Sequence, residues 1–152
     1  MIRVVIDKSG SMNTLGKPEV IQSIIRELQL TDGINCEFFI WDENIKAISY
    51  SSEYIKINFG GKSSISALLD FIKQSKDECL LLTDGFSNDD KADLSSFLRD
   101  NPDSKLRIVL VGADSRISFG KTFFPENLIA TEQKKYIFNS LEVSTAIESF
   151  NF

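Results

Sequence analysis

The chain has 152 residues, with 42% hydrophobic and 26% charged residues, twelve Phe, no His and a formal net charge of -5. This length suits one domain that buries close to ~70% of its unfolded surface, and the composition excludes disorder and a membrane class. An acidic balance without any Lys/Arg run argues against a nucleic-acid backbone binder, and the lack of His removes Ser/His/Asp triads, His general bases and ordinary zinc enzymes.

Residues 2–6 form a short β-branched, apolar run that suits a strand buried on both faces. After the loop SGSMNTLG, Pro18 fits a first helical position, and Val20, Ile21, Ile24, Ile25 and Leu28 recur at helical spacing, predicting a helix over residues 18–30 ended by the TDG turn at Gly33. CEFFIW and IKAISY read as two strands joined by the short turn DEN, which places one antiparallel pair in the pattern. The polar segment that follows leads to ISALLDFIKQ, where Ile65, Leu68, Leu69 and Ile72 line one helical face. ECLLLT is a buried strand, Leu94, Phe97 and Leu98 mark a shorter helix, and LRIVLVG is another strand closed by Gly112. Gly120 and Pro125 break the next stretch, NLIA reads as a short edge strand, and Val143, Ala146, Ile147 and Phe150 give a last helical face before the terminal FNF. No repeat, low-complexity tract or linker divides the chain, so residues 1–152 are expected to form a single domain. Its fold class is α/β, a doubly wound and mostly parallel sheet with one antiparallel hairpin strand.

Cys36 and Cys79 both sit in apolar runs and are expected as free thiols of a reducing compartment. The opening MIRVVID has no charged and then apolar leader, and no ~20-residue apolar span follows, so a cytoplasmic protein that does not enter a membrane is expected.

Ligands of open α/β sheets bind beyond the carboxyl ends of the strands, where the strand order reverses. Asp7, Asp42 and Asp84 each stand directly after an apolar strand, and Asp7 and Asp84 share a crevice if the first and fourth strands are neighbours. A phosphoaspartyl enzyme would want a second carboxylate two residues after Asp7, where Ser9 stands. A phosphate-binding GKS at residues 61–63 would want a glycine where Lys56 stands. A hard-metal site suits the residues better: Ser9 and Ser11 follow Asp7 by two and four, Gly10 is expected to let the loop bend, and an oxygen-only set matches magnesium. Asp89 and Asp90 read as a solvated helix start, and Trp41 and Phe86 as aromatics that either flank the site or pack.

DKSGSM resembles the DxSxS signature of von Willebrand factor A domains with a metal-ion-dependent adhesion site. GGKSSISALL is similar to the family's GGT-type second loop with one apparent insertion, LLLTDG to its TDG-type third loop, and IWDENI to its aromatic, acidic turn. Each motif is short; their order and spacing over residues 2–150 carry the specificity. The resemblance implies metal ligands at Asp7, Ser9, Ser11, Ser63 and Asp84, with Ser64 an alternative to Ser63, and an ion that is Mg2+, Mn2+ or Ca2+. Serine in place of the family threonine lacks a stiffening β-branch, and Lys62 adds a nearby positive charge, so a weaker ion affinity is expected.

The implied function is a non-enzymatic adaptor, similar to small bacterial intracellular members of the family. Its partner would be a protein supplying an Asp or Glu to the ion, such as an AAA+ ATPase of the MoxR type or another component of a stress or defence system. The alternatives are a magnesium-dependent hydrolase or phosphotransferase working in the same crevice, and a scaffold whose metal site is vestigial.

Overall fold

Residues 1–13, 17–30, 35–48, 57–111 and 128–130 are described by the structure, a computed structural model. The β-branched opening run becomes the middle of the sheet. Strand β1 (Ile2–Asp7) is buried at all six positions and pairs in parallel with β2 (Cys36–Trp41) on one side and with β4 (Glu78–Thr83) on the other. β3 (Ile45–Ile48) turns back antiparallel on β2, while β5 (Leu106–Leu110) and β6 (Leu128–Ala130) extend the other side in parallel. The six-stranded order is β3-β2-β1-β4-β5-β6. The sheet is thus mostly parallel with one antiparallel pair, as the apolar pattern implies.

Side chains alternate across a strand, so β1 feeds two cores. Val4 and Ile6 meet Ile21, Ile24, Ile25 and Leu28 of α1 (Lys17–Leu30), whereas Val5 meets Leu68 and Ile72 of α2 (Ile65–Lys73) and Leu94 and Phe97 of α3 (Asn88–Asp100). Helices on both faces explain why β1 and β4 are apolar throughout rather than alternating. Arg3 is the exception on β1. Its guanidinium donates to the carbonyls of Phe71, Asp77 and Ser75 at 2.8, 3.2 and 3.4 Å and lies 4.6 Å from the Phe71 ring centroid. It thereby satisfies carbonyls at the end of α2, where a cation is also favoured by the helix dipole.

The expected elements match those observed to within a residue or two at their ends. α1 begins at Lys17 rather than Pro18, and β1 continues through Asp7. Of NLIA, Leu128–Ala130 does form an edge strand beside β5. The turn at Gly33, the end of IKAISY, the stretch containing Gly112, Gly120 and Pro125, the last helical face and the terminal FNF lie outside the described residues. Among the described residues no helix is long and apolar enough to cross a membrane.

Both cysteines are free, Cys79 buried and Cys36 partly so. β1 lies between their strands, which sets them roughly 10 Å apart across the sheet, beyond disulfide reach. Burial pushes the Cys79 thiol up to about 12 and the Cys36 thiol up to about 11. Neither is a thiolate at neutral pH. A thiol reagent at pH 8 is expected to leave Cys79 unmodified in the folded protein and to label both residues in urea; labelling of Cys79 without denaturant would contradict its placement between β1 and β5. Truncating Leu81, fully buried on the central strand β4, is expected to cost about 2–5 kcal/mol in urea unfolding.

Candidate metal centre

The strand order reverses between β1 and β4, and both strands end in the same crevice. Asp7 is the last residue of β1, and Asp84 follows the last residue of β4. Three loops close over this point. Backbone bonds knit them together: Gly60 N–H donates to Lys8 O at 2.8 Å, Gly10 N–H to Gly61 O at 3.3 Å, and Ser64 N–H to Asp42 O at 2.7 Å. The cleft between them has a volume of about 620 Å³, and Asp7, Ser9, Ser11, Ser63 and Asp84 all line it.

Asp7 is the most buried of the five, only 3% exposed. Its Oδ1 accepts from Ser9 N–H at 2.9 Å and from the Ser63 hydroxyl at 2.6 Å, and its Oδ2 accepts from the Thr83 hydroxyl at 2.7 Å. Each donor belongs to a different loop or strand end. Ser9 Oγ and Ser11 Oγ lie 3.2 Å apart, where the chain leaves β1 and enters a short 3-10 turn (Gly10–Asn13). Ser63 Oγ also donates to Trp41 O at 3.2 Å.

The two serines of the second loop divide the work. Ser64 is the N-cap of α2, its hydroxyl accepting from Ala67 N–H at 3.4 Å, while Ser63, one residue earlier, turns into the cleft toward Asp7. Asp42 is the strand-end aspartate that stays out of the cleft. It accepts from Asn44 N–H at 3.0 Å and faces Lys8 at 3.5 Å, and these contacts hold its carboxyl below the usual range, the Asn44 bond chiefly. Asp89 is exposed in the first turn of α3; Asp90 reaches the edge of the cleft, and partial burial pushes its carboxyl upward. Trp41 is buried, with its indole N–H on Ser64 O at 2.7 Å, and forms a wall of the cleft; Phe86 is half-buried beside it.

Four residues, Thr83, Lys17, Gly61 and Gly85, have roles that the sequence pattern does not give them. Thr83 belongs to the TDG-type motif but was not singled out; it braces Asp7 and also accepts from Gly85 N–H at 3.3 Å. Lys17 is fully buried and donates to Asp84 Oδ2 at 3.0 Å and to Ser11 O at 3.0 Å. A lysine at a helix start opposes the dipole, but nothing local in the sequence points to Asp84 as its partner. Glycine is demanded at Gly61 and Gly85, with φ of 81° and 136°, and not at Gly10, whose φ is not positive and where an added Cβ would meet nothing within 4 Å. The expectation that Gly10 makes the turn is corrected accordingly: the tight 3-10 turn does so with ordinary backbone angles.

The donor set consists of hydroxyl and carboxylate oxygens. Among the described residues no group of three His, Cys, Asp or Glu side chains is placed to hold a metal ion, so any site here would have to draw on hydroxyl oxygens. Adjacent ligands of an octahedral magnesium ion at 2.0–2.1 Å lie about 2.9 Å apart. The Ser9–Ser11 separation of 3.2 Å and the Ser63–Asp7 separation of 2.6 Å straddle that edge length. By chemistry and spacing the residues fit a hard divalent ion.

No protein-family model and no curated protein matches the sequence. Solved structures do match in fold. The ArnB paralog VWA2 from Sulfolobus acidocaldarius superposes with a TM-score of 0.61 at 18% identity, over 91% of this chain and 44% of that one. A von Willebrand factor type A protein from Catenulispora acidiphila gives 0.55 at 16% identity, over 95% and 42%. Manganese-loaded TRAP protein of Plasmodium vivax gives 0.56 at 17% identity, over 85% and 66%. The chain therefore spans less than two thirds of the length of each. At these identities the likeness establishes the fold, which is that of von Willebrand factor A domains.

Replacing Thr83 by Val keeps the shape but removes the donor to Asp7 Oδ2. The expected cost is about 1–3 kcal/mol in chemical unfolding, most of it recovered by Ser at the same position. A Thr83→Val protein as stable as the parent would mean that Asp7 is held by its other donors alone.

Proposed function

We propose that the chain is a protein-interaction module that recruits its partner through a divalent ion held between the ends of β1 and β4. The observation that carries the reading is the convergence of Asp7, Ser9, Ser11, Ser63 and Asp84 on one cleft at the switch point of the sheet. Asp7 orders the site through its three donors, Ser9 and Ser11 present hydroxyls at exposed positions, and Ser63 adds a third from the second loop. When bound, the ion supplies an electrophilic position that takes an Asp or Glu oxygen from the partner. Magnesium is the favoured ion, with manganese and calcium as alternatives; the manganese-loaded neighbour of like fold supports the choice of a hard divalent ion. The resemblance to small bacterial members of the fold family further suggests a cytoplasmic partner, an AAA+ ATPase of the MoxR type or another component of a stress or defence system.

A non-enzymatic role agrees with the polar groups near the cleft. Besides Asp7 and Asp84, the carboxylate lining it is that of Asp90, which sits at the N-terminus of α3. A hydrolase or phosphotransferase would need a base beside the ion's ligands, and the remaining carboxylate, Asp90, stands only at the edge of the cleft. A second reading rests on one observation, the Lys17–Asp84 pair: a buried ammonium already neutralises one carboxylate, as a scaffold with a vestigial ion site would require.

The two readings separate in an affinity capture from cell extract, run in magnesium and again in chelator. The module should retain a partner in magnesium alone. The Ser9→Ala/Ser11→Ala double variant is the better companion control than Asp7→Ala, because removing Asp7 would orphan three donors and unfold the loops. With both hydroxyls gone, stability should change by under about 1 kcal/mol and magnesium-dependent capture should be lost. Equal capture in both buffers would leave the scaffold reading standing.

A further inference from the structure

Lys17 carries two costs at once. It is fully buried, and it stands at the first position of a 14-residue helix, where the dipole opposes a cation. What it gains is a carboxylate and a carbonyl from two different loops of the cleft: Asp84 Oδ2 at 3.0 Å and Ser11 O at 3.0 Å. No catalytic or capping role uses it. Helix α1 itself would be served better by an uncharged residue there.

The charges of the cleft give its role. Asp7 and Asp84 contribute two negative charges and Lys17 one positive, and the rim adds one of each sign, Asp90 and Lys62. The cleft thus holds one net negative charge, and a divalent ion would convert it to one net positive charge. Without Lys17 the same sum would be neutral. An exogenous carboxylate carries one negative charge, which the loaded cleft then lacks.

We infer that Lys17 is a resident cation that holds one oxygen of Asp84, weakens ion binding, and leaves the ion-loaded cleft with the one positive charge that draws in a single carboxylate. The inference rests on the metal reading above and adds to it a positioning residue that sets the order of affinity, ion moderate and partner carboxylate strong.

The test uses manganese alone, and then acetate added to the manganese-loaded protein, on the parent and on Lys17→Met and Lys17→Arg. Titration calorimetry gives the ion affinity, and relaxation of the water bound to manganese reports acetate displacing it. Lys17→Met should bind manganese at least tenfold more tightly and acetate at least fivefold more weakly, and Lys17→Arg should stay near the parent in both. A merely structural lysine predicts the opposite sign for the ion, since a loosened cleft binds it less well. Unchanged or weakened manganese binding in a folded Lys17→Met protein overturns the inference while leaving the metal reading intact. A parent that binds no manganese overturns both.

Cutting one side of a buried ion pair can unfold a domain. The unaltered protein therefore provides the second measurement, the side-chain ammonium resonances in 15N-labelled protein. Saturating magnesium should shift one solvent-protected ammonium signal, assigned to Lys17 by its loss in Lys17→Arg. No shift at saturation overturns the inference whether or not Lys17→Met folds.

Discussion

Everything at the carboxyl end of the sheet depends on one buried carboxylate. Asp7 receives a backbone N–H from its own loop, a hydroxyl from the loop before α2 and a hydroxyl from the end of β4. A carboxylate taken out of water is costly unless its oxygens find donors, so the three segments are held together by the requirement to satisfy it. The fold places Asp7 where this can happen. β1 has neighbours on both sides, and the loop before α2 and the end of β4 both bring a donor to its last residue. The doubly wound topology and the polar hub are thus parts of one arrangement: the apolar strands bring the loops close, and Asp7 fixes how they meet.

Much of the fold was legible in the sequence because the physical signal is periodic. β4 carries an uninterrupted apolar run and β1 one broken at Arg3, since each is covered by helices on both faces, and α1 and α2 carry their buried residues at helical spacing. The antiparallel pair was visible in the two-strand pattern around DEN. What periodicity could not give was the division of labour between adjacent polar residues. Ser63 and Ser64 are chemically identical and both precede α2; only the position at which the helix starts assigns one to the cap and the other to Asp7. Asp42 was as well placed as Asp7 by its position after a strand. Its side chain nevertheless closes the β2–β3 turn, because an antiparallel hairpin bends back there instead of crossing over the sheet.

Lys17 was illegible for a different reason. A lysine at a helix start reads as a solvated side chain, and its partner lies 67 residues away in sequence. Burial of a charge is a property of tertiary structure alone, so no local pattern can announce it. The glycines make the same point in the backbone. Gly10, inside the most recognisable motif, needs no special conformation, whereas Gly61 and Gly85 adopt angles that other residues avoid, in the two loops that approach Asp7 and Thr83.

A cleft built mainly of hydroxyls has a thermodynamic consequence for the proposed module. Serine oxygens carry no net charge, and one of the two ligand-candidate carboxylates is shared with an ammonium, so under the proposed reading these charges would limit ion binding by the chain alone. A partner's carboxylate would supply the missing negative charge and an oxygen at the same moment. Linkage then requires reciprocity: whatever factor the ion adds to partner affinity, the partner adds to ion affinity. In the proposed module such a site would stay weakly loaded by itself and would fill when the complex forms. A fully acidic site would hold its ion firmly with or without a partner, and the ion would then report nothing about whether a partner is present.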